Sequence, residues 1–239
     1  MELLNKKKGI ILKNKNIFIT GGNRGIGKGL VKLLGKDNNV VFSVRDKEKG
    51  EKTLRELRDI MVKYVLLDVN EIESIIKAKQ EIKMHMDHID ILFNNAGILI
   101  PEYEVPAFET SEDSILKTFE TNTLGPLRII KFLLELIPKG GRIINVSSGM
   151  GQLDDMEGGS LAYRLSKTSL NALTKILSIE LDKREIKINA ICPGWVQTDM
   201  GGSNATLTVE ESVEKIADFA LNKEFPNGKF LRHGEILPW

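Results

Sequence analysis

The sequence predicts an α/β fold in which helices cover both faces of a doubly wound parallel sheet. Three observations carry this prediction. Strand-like apolar runs alternate with amphipathic helical patterns along the chain, as expected for right-handed crossovers between parallel strands. The strand-like runs are rich in Val, Ile and Leu, which is typical of strands buried on both faces. The length of 239 residues, 41% of them hydrophobic, suits a single domain spanning 1–239.

The elements follow one another in strict alternation. Strands are predicted at 16–20, 39–44, 63–68, 89–96, 141–148 and 186–194, with a last short strand at 228–232. Helical patterns lie near 25–35, 47–60, 71–86, 112–137, 160–183 and 208–222. Ligands of such sheets bind beyond the carboxyl ends of the strands, and the unusual residues of this sequence fall there.

Composition excludes several classes of function. The net charge of +1 gives no reason to expect nucleic acid or a membrane surface as a partner. Residues 1–14 form a basic lead-in whose apolar stretch, "GIIL", is too short for a secretory signal, and no run approaches the ~18 apolar residues of a membrane span. The single cysteine, Cys192, rules out an internal disulfide and fits a reducing cytoplasm.

A glycine-rich turn, "TGGNRGIGKGL", follows the first predicted strand. Gly21, Gly25 and Gly27 give the spacing G-x-x-x-G-x-G. Glycines there let the backbone approach a pyrophosphate, which then meets the free N–H groups at the start of a helix. Turns use glycine anyway, so the spacing alone is weak, but a junction between strand and helix is the context that a dinucleotide site requires. The prediction is a Rossmann-type domain.

The end of the second predicted strand indicates which dinucleotide binds. In NAD-binding folds an Asp or Glu about 20 residues past the glycines holds the ribose 2′-hydroxyl, but here Val44 is followed by Arg45. An arginine offers several donors to a 2′-phosphate, and Arg24 can reach the same group. Asp46 is a weak signal for NAD, and Arg45 could be an ordinary charge at a strand end. The balance favours NADPH.

Tyr163 and Lys167 lie four residues apart in "AYRLSKTSLNALTK" and so share one face of a predicted helix. The pair could be solvated at the surface, or it could be an acid and the cation that tunes it. A free tyrosine has a pKa near ~10, and a nearby cation lowers that pKa by stabilising the phenolate. Other residues of the sequence have to decide between these interpretations.

Motifs in the same order along nearly the whole chain resemble those of the short-chain dehydrogenase/reductase family. They are "TGGNRGIG" (20–27), Asp68 in "LLDVN", "NNAG" (94–97), "NTLG" (122–125), "NVSS" (145–148), "YRLSK" (163–167) and "PGWVQTDM" (193–200). Any one of these is a modest signal, but all of them in order are specific. Within the family, the glycine turn, "SVRDKEKG" and the ending "GKFLRHGEILPW" look most like carbonyl reductases.

The resemblance implies a role for each motif residue. Tyr163 would protonate a carbonyl oxygen to which Ser148 donates a hydrogen bond. Lys167 would bind the nicotinamide ribose and tune the acid, and Asn122 would hold a water in a proton relay. The residues expected to contact the cofactor are Gly21, Asn23, Arg24, Gly25, Ile26, Gly27, Arg45, Asp68, Val69, Asn95, Ala96, Gly97, Tyr163, Lys167, Pro193, Gly194, Val196 and Thr198.

Two features depart from the family pattern. Ser148 lies fifteen residues before Tyr163, where about thirteen is common, so the intervening loop carries about two extra residues. It lacks the long insertion of some monomeric carbonyl reductases, and their oligomeric state cannot be carried over. The chain also stops soon after the last predicted strand, which puts the usual tetramer contacts in doubt. A homo-oligomer is left open.

Other candidate residues favour plainer interpretations. The His and Met residues of 84–88 could bind a soft metal, but they end a helical pattern where cationic side chains favour the dipole, and we expect no metal. The carboxylates of 154–157 fit a solvated loop better than a catalytic pair. Cys192 is expected in the core, since no histidine neighbours it. Trp195 is expected to line the substrate pocket, with Leu99, Met150 and Met200 as weaker candidates for the same wall.

The sequence thus predicts a cytoplasmic, NADPH-dependent reductase of a modest-sized aldehyde, ketone or quinone, with Tyr163 as the acid. An alternative of the same class is a reductase of a steroid, pterin or acyl chain. An alternative of another class is a dinucleotide-binding sensor without turnover, but such proteins usually lose the Tyr or the Lys, and this chain keeps both. Turnover of NADPH with small carbonyls separates these classes. The loops near 150–160 and 200–208, which should choose the substrate, have no readable code.

Overall fold

A computed structural model describes residues 12–239, so residues 1–11 of the predicted lead-in lie outside the described part. The strands are β1 (Asn16–Ile19), β2 (Asn39–Val44), β3 (Val62–Leu66), β4 (Ile91–Asn94), β5 (Arg142–Val146), β6 (Lys187–Cys192), β7 (Phe230–Arg232) and β8 (Glu235–Leu237). The helices are α1 (Gly25–Leu34), α2 (Lys47–Glu56), α3 (Ile72–His85), α4 (Glu112–Phe119), α5 (Gly125–Leu133), α6 (Leu161–Glu180) and α7 (Val209–Leu221). In residues 12–239, every helix is too short or too polar to cross a membrane.

The strands form one sheet in the order β3-β2-β1-β4-β5-β6-β7-β8. The strands β1 to β7 are parallel. β2 and β3 are added on one side of β1, whereas β4 and the strands that follow it are added on the other side. This arrangement confirms the predicted doubly wound sheet and places a topological switch point at the carboxyl ends of β1 and β4. The antiparallel edge strand β8, which pairs with β7, was not predicted.

Two apolar layers enclose the sheet, one on each face. Ile17 and Ile19 of β1 face the layer that contains α1 and α7, whereas Phe18 between them faces the layer that contains α3, α5 and α6. All three side chains are fully buried, since successive residues of a strand point to opposite faces. The near-continuous apolar runs of the sequence therefore arise from burial on both sides.

The predicted helix at 112–137 is interrupted. A five-residue π turn, Glu120–Leu124, separates α4 from α5, and a 3-10 turn follows α5 at Leu134–Leu136. Pro126 has no N–H, so the carbonyl of Asn122 loses its usual helical donor. The N–H of Gly125 instead bonds to the carbonyl of Glu120, five residues back. Single π turns of this kind occur often at functional sites, and this one contains a predicted site residue.

Candidate active site

A cleft of about 670 Å³ opens at the carboxyl ends of the parallel strands. Its walls come from the glycine turn, the ends of β2 to β5, the start of α6 and the segment 193–204. The cleft brings together every residue predicted to contact the cofactor, namely Gly21, Asn23, Arg24, Gly25, Ile26, Gly27, Arg45, Asp68, Val69, Asn95, Ala96, Gly97, Tyr163, Lys167, Pro193, Gly194, Val196 and Thr198. Ser148 and Trp195 line it as well.

The glycine turn is tight and leaves its backbone open to the cleft. Gly21 and Gly25 adopt φ values of +69° and +50°, which other residues rarely adopt. A Cβ on Gly27 would lie 2.2 Å from the carbonyl oxygen of Gly21, so only glycine allows this approach. The side chain of Arg24 precedes α1 without capping it. The first N–H groups of α1 are therefore available to an anion.

Hydrogen bonds join the glycine turn to the "NNAG" segment. The Thr20 hydroxyl accepts the N–H groups of Asn95 and Ala96, each at 3.0 Å. The Asn95 amide donates to the carbonyls of Thr20 and Gly21 at 2.9 and 3.1 Å. These bonds join the ends of β1 and β4 at the switch point, so the glycine turn and the "NNAG" segment form one hydrogen-bonded unit beside the cleft.

Two arginines line the cleft near the glycine turn and the end of β2. Arg45 follows β2, and its Nη1 lies 4.0 Å from Oδ2 of Asp68. Nη1 of Arg24 donates to Oδ2 of Asp199 at 3.2 Å. Both arginine side chains are at least 60% exposed and line the cleft. Asp46, the weak signal for NAD, caps the start of α2 instead.

Tyr163 and Lys167 form a buried pair rather than a surface pair. Tyr163 is 8% exposed and Lys167 is 5% exposed. Nζ of Lys167 donates to the carbonyl of Val146, at the end of β5, at 2.8 Å, and lies 5.6 Å from the centroid of the Tyr163 ring. The interpretation as a solvated surface pair is therefore wrong.

Burial, not the neighbouring cation, dominates the electrostatics of this pair. Burial raises the pKa of Tyr163 to about 12, although the Ser148 hydroxyl lowers it. Burial also lowers the pKa of Lys167 to about 8. From the sequence, Lys167 was expected to lower the pKa of Tyr163, but the net effect of the surrounding groups is to raise it. Desolvation disfavours the charged form of both groups, which spacing along a helix cannot reveal.

Ser148 is held by a short turn after β5. Its Oγ accepts the N–H of Met150 at 3.1 Å. The N–H of Gly149 bonds to Sγ of Cys192 at 3.1 Å, and the same sulfur accepts from Nε of Arg232 at 3.3 Å. Cys192 is buried, as predicted, and it ties the serine turn to the end of β6.

Asn122 lies beneath the cleft, in the π turn, and does not line it. Its Oδ1 accepts the N–H of Ile98, and its Nδ2 donates to the Ile98 carbonyl, both at 2.8 Å. Nδ2 also donates to Oγ of Ser166 at 3.0 Å. A Cβ on Gly97 would approach both Oδ1 of Asn122 and Nζ of Lys167. The side chain thus clamps α6 to the loop after β4, and its role in a water relay stays a prediction.

The outer wall of the cleft is mostly apolar. Leu99, Met150 and Met200 line it, as does Trp195, which is 53% exposed. Tyr103, on the loop between β4 and α4, lines the same wall and was missed. Its signal in the sequence was its place six residues after "NNAG", beyond the carboxyl end of a strand.

The remaining candidate residues lie outside the cleft. Asp154, Asp155 and Glu157 are exposed, as expected of a solvated loop, although Glu157 pairs with Arg164 at 3.1 Å. His88 lies 3.4 Å from Asp90, near the amino end of β4. Within residues 12–239, no three His, Cys, Asp or Glu residues group in a way that could hold a metal ion.

Comparison with known proteins identifies the family. The profile described as short chain dehydrogenase matches residues 15–207. Carbonyl reductase 1 (NADPH) of Mus musculus is 28% identical, with 93% of this chain and 97% of the relative covered. An uncharacterized oxidoreductase of Schizosaccharomyces pombe is 34% identical, with 95% of this chain and 98% of the relative covered.

Solved structures agree with these relatives. Carbonyl reductase Sniffer of D. melanogaster superposes with a TM-score of 0.84 at 32% identity, covering 95% of this chain and 100% of that one. NADPH-bound carbonyl reductase from chicken fatty liver superposes with a TM-score of 0.85 at 28% identity, with the same coverage. The motifs, the strand order and these comparisons agree, and the chain belongs to the short-chain dehydrogenase family of oxidoreductases.

Proposed function

We propose that the chain uses NADPH to reduce the carbonyl of a small aldehyde, ketone or quinone, with Tyr163 as the proton donor. The observation that carries the proposal is the convergence of Ser148, Tyr163 and Lys167 on the cleft that also contains the glycine turn. An acid and a nucleotide cradle in one cleft suit a reaction that delivers a hydride and a proton to the two ends of one double bond.

The residues of the cleft fit NADPH as the cofactor. The uncapped start of α1 suits the pyrophosphate, and the exposed guanidinium groups of Arg24 and Arg45 suit a 2′-phosphate. Of the carbonyl reductases that the chain resembles, that of Mus musculus is named for NADPH and that of chicken fatty liver was solved with NADPH bound. When bound, NADPH supplies the hydride that reduces the carbonyl carbon.

Tyr163 is suited to act as an acid rather than a base in the free protein. With a pKa of about 12, its phenol keeps its proton at neutral pH and can donate it to the oxygen of a carbonyl. In the proposal, the hydroxyl of Ser148 donates a hydrogen bond to the same oxygen and stabilises the charge that develops there. The proton is thus held ready in the direction of reduction.

Lys167 is suited to restore the proton that Tyr163 gives up. Because burial lowers the pKa of Lys167 to about 8, its ammonium group releases and regains a proton close to neutral pH. It lies 5.6 Å from the tyrosine ring centroid, close enough to stabilise a transient phenolate. In our proposal Lys167 also binds the nicotinamide ribose, and Asn122 supports the path of the proton towards solvent.

The proposal is tested by following NADPH consumption with substituted benzaldehydes, aryl ketones and quinones, together with a steroid, a pterin and an acyl-chain carbonyl compound, and measuring the reduced product formed. We expect product in a one-to-one ratio to the NADPH consumed for at least one class. NADPH binding without turnover on the whole set would favour the sensor alternative. Turnover confined to a steroid, pterin or acyl chain would favour the specialised reductase.

A further inference from the structure

A second phenol faces the substrate side of the cleft. Tyr103 is 57% exposed and lines the same cleft as Ser148, Tyr163 and Trp195. Burial raises the pKa of Tyr163, and Tyr103 adds to that rise. Tyr103 therefore borders the same cleft as Trp195 and Tyr163.

The backbone beneath Tyr103 is anchored. The carbonyl of the preceding residue, Glu102, accepts the N–H of Ser160 at 2.9 Å. The Glu102 carboxylate accepts the hydroxyl of Ser114, at the start of α4, at 2.6 Å. A Cβ on Gly159 would lie 2.1 Å from the Tyr103 carbonyl oxygen, so the two loops are in close contact and hold each other in place.

Arg164 holds the second of these loops from below. Its side chain is only 9% exposed and donates to the carbonyl of Gly159 and to the carboxylate of Glu157, both at 3.1 Å. This is the loop that carries the residues beyond the usual family spacing. A loop that is already ordered loses little conformational entropy when a ligand binds. Binding to the phenol of Tyr103 therefore costs little in ordering of the backbone.

The neighbours of Tyr103 offer mainly apolar surface. Leu99, Met150 and Met200 contribute aliphatic and thioether groups. Nε1 of Trp195 already donates to the carbonyl of Gly201 at 2.8 Å, so this residue offers its ring face. Tyr103 adds to this wall a hydroxyl that can donate a hydrogen bond to a matching acceptor on a ligand.

We infer that Tyr103 is a substrate-binding residue that determines specificity, and that the preferred substrates are apolar aryl carbonyl compounds with a second oxygen acceptor. Tyr103 donates a hydrogen bond to the second oxygen, while Tyr163 and Ser148 bind the oxygen of the carbonyl that is reduced. This inference rests on the proposed function, because it concerns the substrate of the same site.

Matched aldehydes test the inference. 4-Isopropylbenzaldehyde and its 3-isomer have one oxygen. 3- and 4-Acetylbenzaldehyde are of similar size but have a carbonyl oxygen in place of one methyl group of the isopropyl substituent. Each compound is compared with itself across variants of the protein, so differences in intrinsic reactivity cancel. The readouts are kcat/KM for each aldehyde and the Kd for NADPH.

The three tyrosines of the chain supply the variants. Tyr103→Phe is expected to lower kcat/KM about three- to tenfold for at least one acetyl compound, the usual effect of one hydrogen bond, and to leave the isopropyl compounds and NADPH binding unchanged. Tyr64→Phe, a control on β3 outside the cleft, is expected to change neither class. Tyr163→Phe is expected to abolish turnover of both.

Each result distinguishes this inference from the proposed function. Suppose that the wild type turns over the aldehydes and that Tyr103→Phe lowers kcat/KM equally for all of them, or for none. Tyr103 then does not bind a second oxygen, and the inference alone is overturned. If none of the aldehydes, ketones or quinones supports NADPH oxidation by the wild type, the proposed function fails and the inference fails with it.

Discussion

The cleft has a buried polar region and an exposed one, and the two follow different electrostatics. Tyr163 and Lys167 are less than 10% exposed. Burial raises the pKa of Tyr163 and lowers that of Lys167, so it favours the neutral form of each. The side chains of Arg24 and Arg45 are at least 60% exposed and lie near carboxylates at the rim. Solvent and salt screen the rim but reach the interior poorly. Changes to the interior pair should therefore have large effects that depend on pH, and changes at the rim should have small effects that depend on salt.

Replacement of the acid should have the largest effect. Tyr163→Phe removes only the hydroxyl, so the ring still fills its space and NADPH binding should stay near that of the wild type. The rate of reduction should fall by at least ~10²-fold, the usual contribution of a general acid. Steady-state rates beside a fluorescence titration with NADPH measure both quantities. Nearly full activity in this variant would remove Tyr163 from the role of acid.

Lys167→Met should impair two functions at once, because the lysine is proposed to bind the ribose and to restore the proton. We expect a weaker apparent affinity for NADPH together with a slower rate. The same two measurements apply, with Lys175→Met as a control on the exposed face of α6. An unchanged NADPH affinity would mean that Lys167 does not bind the ribose.

The same substitution should reveal the cost of burying a charge. Burial lowers the pKa of Lys167 to about 8 in the folded protein, against an ordinary value of 10.5. The unfolded chain therefore binds more protons between these two pH values, and the free energy of unfolding rises with pH there. At pH 7, Lys167→Met should have a higher free energy of unfolding than the wild type, because it avoids burying the charge. This difference should be about 2 kcal/mol smaller at pH 10 than at pH 7. Urea unfolding of both proteins at the two pH values measures this. A difference that does not vary with pH would mean that the folded state does not perturb this lysine.

Arg45→Ala tests the rim. A charge-assisted hydrogen bond is worth ~1.5–3 kcal/mol, and exposure places this one at the low end, so NADPH should bind about tenfold more weakly. NADH should bind as before, since it has no 2′-phosphate, and added salt should weaken NADPH more in the wild type than in the variant. The ratio of catalytic efficiencies with the two cofactors is the measurement. Equal loss with both cofactors would assign Arg45 to the adenine pocket or to the fold.

Asp199→Asn should have the smallest effect and the opposite sign. Asp199 pairs with Arg24 at 3.2 Å, and a 2′-phosphate must compete with that carboxylate for the guanidinium. Because an exposed pair contributes less than ~1 kcal/mol, NADPH affinity should rise about two- to threefold at low salt, while NADH affinity stays constant. Calorimetric titration at low and high salt measures the change. A loss of NADPH affinity would show that Asp199 supports the site instead.

The contrast between the two regions also explains what the sequence could predict. Glycines such as Gly27 and strand-end residues such as Arg45 occupy positions that the sheet fixes, so short motifs place them reliably. The π turn could have been suspected from Pro126, which removes a helical N–H. The contacts between Tyr103 and Gly159, and between Arg24 and Asp199, join segments far apart in the chain, and no local pattern specifies them.

The pKa values were beyond the reach of the sequence for a different reason. Spacing shows that Tyr163 and Lys167 share a helix face, which led to an expected fall in the tyrosine pKa. The direction depends instead on how completely the surrounding layers exclude water. That quantity belongs to the whole packed structure, including the Ser148 turn and the end of β5, and not to the helix that carries the pair.

The proposed mechanism requires Tyr163 to enter the reaction as a protonated acid because it is buried. The most direct test is an NMR titration of the protein labelled with ¹³C at the tyrosine ring carbon that bears oxygen, with its three signals assigned from the three Tyr→Phe variants. We predict that the Tyr163 signal keeps its protonated chemical shift well beyond the pH at which a free tyrosine ionises, since burial raises its pKa to about 12. An ionisation of Tyr163 below the ordinary tyrosine value of ~10 would contradict it and would restore Lys167 as the dominant influence on the acid.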